Sequence, residues 1–102
     1  MYDLASLQKS LQVPLEEKEL TYSCLRHNFG DILNANQIQA LTSLIYDIGL
    51  STFLDSPIPA YIQKRQFVSV TNHFFNYCQE GRTLSPVKLD KRRKEVFLFN
   101  LE

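Results

Sequence analysis

Glycine and proline are scarce in this chain, three and four residues in 102, and cysteine occurs only twice. So few glycines and prolines punctuate the sequence without filling it, which excludes a low-complexity linker, and no internal repeat is found. Two cysteines, Cys24 and Cys78, do not make a disulfide framework. Two reduced, buried thiols are expected instead. No run approaches the roughly 18 apolar residues that a membrane-spanning helix needs. The N-terminus, Met1-Tyr2-Asp3-Leu4, has neither the basic region nor the continuous apolar stretch of a secretion signal, so residence in the cytoplasm is expected. An excess of charge of either sign is missing too. Eleven Lys and Arg balance eleven Asp and Glu, and the chain as a whole has no bulk attraction for polyanions.

What the chain does have is apolar material: hydrophobic residues make up 44% and aromatics 12%, with seven Phe and five Tyr. That suffices for a core without metal or disulfide staples, in one small domain over residues 1–102 that buries about 60 to 65% of its unfolded surface. Neither a second domain nor a disordered chain fits. Charge is sorted by position. Residues 16–19 read Glu-Glu-Lys-Glu, whereas residues 82–94 hold Arg82, Lys88, Lys91, Arg92, Arg93 and Lys94 against the single acid Asp90.

Apolar residues recur at helical spacing. Leu4, Leu7 and Leu11 give residues 3–12 one apolar face that Pro14 ends, and residues 15–29 continue with Leu15, Leu20, Cys24, Leu25 and Phe29 up to Gly30 as a C-cap. Asn34 or Asn36 can cap the next helix, in which Ile38, Leu41, Leu44, Ile45 and Ile48 follow one another at three- and four-residue steps before Gly49. Asp55-Ser56-Pro57 starts another, with Ile58, Tyr61 and Ile62. Residues 66–79 carry Phe67, Val70, Phe74, Tyr77 and Cys78, residues 82–87 read as loop, and residues 88–99 form a last helix with Leu89, Val96, Phe97 and Phe99. No stretch alternates with period two. The chain reads as all-α, five or six short helices around one core.

Two segments point to a family. Asn36-Gln37-Ile38-Gln39-Ala40-Leu41-Thr42-Ser43-Leu44-Ile45-Tyr46-Asp47-Ile48-Gly49 resembles the central helix of phage-type lysozymes, with Asp47 where that family usually has Asn. Thr52-Phe53 and Ser56 fall where it has an aromatic followed by Ser and Thr, and Phe74, Phe75 and Tyr77 where it has Phe and Trp. Lys91-Arg92-Arg93-Lys94-Glu95-Val96-Phe97-Leu98-Phe99 is similar to the family's C-terminal basic pair, Glu and Leu-Phe. The resemblance covers residues 36–99 and implies the helical lobe of such an enzyme, with residues 1–35 a divergent helical N-terminus.

The resemblance also implies a catalytic Glu at the end of a first helix, then an Asp and a Thr on a small Gly-rich β-sheet. Nothing in the first 35 residues aligns with that unit, so no catalytic residue is carried over. Glycoside hydrolysis requires two carboxyls facing each other across a cleft, one protonated and one ionised. Glu16, Glu17 and Glu19 lie within one helical turn and read as solvated first-turn acids that suit the helix dipole. His27 and His73 have no Cys or carboxylate at ligand spacing, so neither a metal site nor a cofactor is expected. Cys24 reads as core.

Lys91 to Lys94 could contact phosphate, but zero net charge favours a solvated face over nucleic-acid binding, with Arg92 and Glu95 as an exposed i, i+3 pair. The aromatics exceed what the core needs, and loss of a β-lobe would uncover the surface beneath it. Phe74, Phe75, Phe97 and Phe99, with Lys91, Arg92 and Arg93, are therefore the expected contacts for a protein partner or for self-association. The expectation is a catalytically silent protein of phage or prophage origin in the cytoplasm of a bacterial host. Blocking a host or competitor enzyme, a defence nuclease among them, would suit it. The alternative is a peptidoglycan-binding protein or a muramidase.

Overall fold

The computed structural model describes residues 2 to 101, the side chain of Glu17 excepted. The described chain runs through α1 (Leu4–Ser10), α2 (Leu15–Phe29), α3 (Ala35–Ile48), α4 (Leu50–Asp55), α5 (Ile58–Gln63), α6 (Phe67–Phe74), a 3-10 turn (Phe75–Tyr77), β1 (Gln79–Glu80), β2 (Thr83–Leu84) and α7 (Pro86–Phe99). The fold is all-α, as expected, with seven helices among the described residues.

Helix α3 is central because its sequence is apolar on more than one side. Every residue from Ala40 to Ile45 is buried, as is Ile38, the pattern of a helix covered on most faces. Its start is fixed by a capping box: Asn34 Oδ1 accepts from the Gln37 N–H at 2.8 Å, and Gln37 Oε1 accepts from the Asn34 N–H at 2.9 Å. Asn34, not Asn36, is the cap. Asn34→Ala should therefore lower stability by about 1 kcal/mol, read as an earlier urea midpoint, while Asn36→Ala leaves the midpoint nearly in place.

Leu7 and Leu11 of the α1 region, Leu25 and Phe29 of α2, Phe53, Ile58, Ile62, Val70, Phe74, Leu98 and Phe99 complete one core around α3. Helix α7 lies along one side of α3 and α2 along another. At Gly49 the backbone takes φ +90, its N–H donates to the Ile45 carbonyl and its own carbonyl accepts from Phe53. One glycine thus ends α3 and starts α4. The periodicity missed α4 because the helix is six residues long and buries only Phe53.

Two further expectations are corrected, and Gly30 is the expected C-cap of α2. Residues 79–84 form a two-residue antiparallel pairing around Gly81, too short to show as alternation. Gly30 ends α2 in the right-handed region, with its N–H donating to the Arg26 carbonyl. Leu4, Leu15 and Leu20 are exposed. The seated stripe of α2 is Thr21, Leu25 and Phe29, four residues apart, and the helix buries nothing described before Thr21.

Candidate functional site

The densest polar cluster joins α3 to α7. Ser43 and Asp47 lie one turn apart on α3, and Lys91, Arg92 and Glu95 lie within one turn or so on α7. Arg92 is 1% exposed and Glu95 0%. Ser43 Oγ donates to Glu95 Oε2, and Arg92 Nη2 donates to the same oxygen at 3.1 Å and also to Asp47 Oδ2. Arg92 Nε stands 2.7 Å from Glu95 Oε1 but out of line for a hydrogen bond. Lys91 Nζ closes the outer end on Asp47 Oδ1 at 2.9 Å and sits 5.8 Å over the Tyr46 ring.

Burial pushes the Glu95 carboxyl up to about 7, against the downward pull of Arg92 and of the Ser43 hydroxyl. Such a value suits a general acid. The group nevertheless lies out of solvent and lines none of the surface clefts described below, so its chemistry is spent on Arg92 and Ser43. The expected exposed pair of Arg92 and Glu95 is thus corrected to a buried one. Asp47 supplies the acid that both Arg92 and Lys91 meet.

The expected contact residues divide. Phe74 and Phe99 are buried and meet edge to face at 6.0 Å, and Arg92 is enclosed between α3 and α7, so these three cannot form a contact surface. Phe75 and Arg93 are exposed. Lys91 and Phe97 are half-buried, with Phe97 against the Tyr2 ring at 5.2 Å. The basic run also dissolves as a patch: Lys91, Arg92 and Lys94 all meet acids, the last through Asp90 at 3.1 Å.

Cys78 is buried and Cys24 half-buried, both as free thiols, and burial raises the Cys78 thiol. His73 is held by the Asn76 amide at 2.9 Å and the Tyr77 hydroxyl at 3.1 Å, and desolvation lowers its pKa. Among the described residues no group of three or more His, Cys, Asp or Glu is placed to hold a metal ion. No described helix is long and apolar enough to cross a membrane.

Two clefts flank the N-terminal half of α2. On one side a cleft of about 320 Å³ is lined by Gln8, Gln12, Asn36, Gln39, Tyr22 and the floor residue Leu11. On the other, a cleft of about 190 Å³ is bounded by Val13, Glu16, Leu20, Ile45, Tyr46 and Leu50. Helical spacing alone places Leu15 and Leu20 inwards, which hides this region from a reading of the sequence. The available signal was the Glu-Glu-Lys-Glu run between them, which marks a solvated turn.

The family model described as phage lysozyme matches residues 5–95. The chain belongs to the phage lysozyme family. The match reaches upstream of residue 36, over the helices that the quoted motifs leave uncovered. Searches among curated proteins and among solved structures return no match.

Proposed function

We propose that this member of the phage lysozyme family does not cleave glycan and acts by binding another protein. The observation that carries the reading is the fate of the carboxyls. Asp47 and Glu95, the described acids that come together across two elements, are both tied to Arg92, and Glu95 has no exposed surface. Glu16 and Glu19 reach the surface from a single turn of α2, and Glu16 is the one acid among the described residues that lines the 190 Å³ cleft. Exposed Phe75, Leu15 and Leu20 supply apolar contact area, which in small proteins marks binding surfaces. In this reading the chain works in the cytoplasm of a bacterial host and blocks a host or competitor enzyme, a defence nuclease being one such target.

Capture from host cytosol tests the binding step, with Phe75→Ala and Arg93→Ala as controls because both side chains are exposed. The reading expects a stoichiometric protein partner that either change weakens. Recovery that neither change alters would remove these residues from the contact.

A second reading, affinity for the wall glycan, is favoured by the 320 Å³ cleft. Its amides and the Tyr22 ring are neutral hydrogen-bonding groups beside an aromatic, a set that suits hydroxyl and acetamido groups. Retention on purified peptidoglycan that Gln39→Ala abolishes would establish it.

A further inference from the structure

We infer that one copy of this chain docks head to tail on a second, through two surfaces of opposite charge at the two ends of α2. The first surface is the unseated N-terminal half of α2. Leu15 and Leu20 are 69% and 70% exposed, and between them Glu16 and Glu19 carry no ion pair among the described residues. The one cation of that turn, Lys18, lies over the Tyr22 ring at 5.7 Å, which leaves the acids unopposed.

The second surface is the turn from α5 into α6 with the outer side of α6. Lys64 and Arg65 are exposed and make no ion pair among the described residues. No acid occurs anywhere in residues 56–79. Val68 is 74% exposed on α6, and Phe75, which caps the C-terminal end of that helix, is 39% exposed, about two turns further along. Each surface therefore pairs two exposed apolar side chains with two uncompensated charges, negative on one and positive on the other.

The Gln63 amide donates to the Asn28 carbonyl at 3.5 Å, which fixes the basic surface by the C-terminal end of α2. Glu19 lies nine residues away, about 14 Å along the helix axis. The two surfaces cannot meet within one copy, but each can meet its complement on another. Balanced net charge removes long-range repulsion between copies. Single surface ion pairs contribute little, so the four apolar side chains supply most of the association and the charges set its direction. A contact of this kind is heterologous and propagates unless it closes into a ring.

The inference builds on the proposed mode of action only in that both are protein contacts, and its test does not depend on glycan cleavage. Sedimentation velocity of the full chain should give a mass that rises with concentration at about 50 mM salt and less steeply at about 500 mM, where the charges are screened. E16K/E19K and K64E/R65E should each run as one chain, because in each the two surfaces then carry like charge, while their equimolar mixture associates again, because every contact between the two variants opposes acids to bases. All four positions are exposed, and helicity by circular dichroism checks the fold. L20D and V68D repeat the design without charge reversal should a reversed variant misfold. Wild type at the mass of one chain throughout, or a mixture no heavier than its components, would overturn the inference. Capture of a different partner by a strictly single-chain protein would leave the proposed function standing without it.

Discussion

Arg92→Ala is expected to cost about 3 to 5 kcal/mol at neutral pH, the loss typical of breaking a buried ion pair from one side. The change strands Glu95, which has no exposed surface, and leaves Asp47 with Lys91 as its one cation partner among the described residues. The penalty comes from the buried carboxyl left without its partner, which must either stay charged or take up a proton, more than from the lost attraction. Arg92→Met combined with Glu95→Leu should therefore recover most of the loss, since it leaves no buried ion and keeps the volume between α3 and α7 filled. Urea denaturation of wild type, single and double variants measures this. A single variant as stable as the wild type would show that the pair is not enclosed as described.

The second large effect is on pH. In the folded protein burial raises the Glu95 carboxyl from its ordinary 4.5 to about 7, so between those values the folded state holds a proton that the unfolded chain releases. Stability from this group is fully present below about pH 4.5, falls as pH rises, and is lost above about 7. The shift corresponds to about 3 kcal/mol across that window. The melting temperature should drop from pH 5 to pH 8, and Glu95→Gln should flatten the profile. The cost of Arg92→Ala should likewise be smaller at pH 5, where Glu95 is neutral in any case. A melting temperature that climbs over the same interval would contradict the assignment of Glu95 as the dominant group.

Much of the architecture can be read from short-range signals. Helix α3 carries its own cap, its apolar period and a terminating glycine, and the last helix is found where its spacing puts it, although it starts at Pro86, two residues before the expected 88, with the Ser85 side chain accepting from the Lys88 N–H. These local features agree with the packing, so the sequence and the fold coincide there. Helix α4 escapes because six residues with one buried phenylalanine make no periodic pattern.

The candidate site is harder to read because it depends on partners far apart in sequence. Lys91-Arg92-Arg93-Lys94-Glu95 looks like a solvated face, and only the arrival of Ser43 and Asp47 from α3 makes Arg92 and Glu95 interior. The residue that signals this is Asp47, an acid at the end of an apolar helix, yet nothing local names its partner across 45 residues. Leu15 and Leu20 mislead in the opposite sense. Their hydrophobicity suggests burial, but Thr21, Leu25 and Phe29 already fill the seat of α2 on α3.

Release of reducing ends from purified peptidoglycan tests the central claim most directly. Incubated with the full chain, the glycan should release no more reducing sugar than buffer alone, under conditions in which an active phage lysozyme degrades it. Release that grows with the amount of this protein, and that Glu16→Gln or Glu19→Gln abolishes, would contradict the account and place a working carboxylate on the first turn of α2.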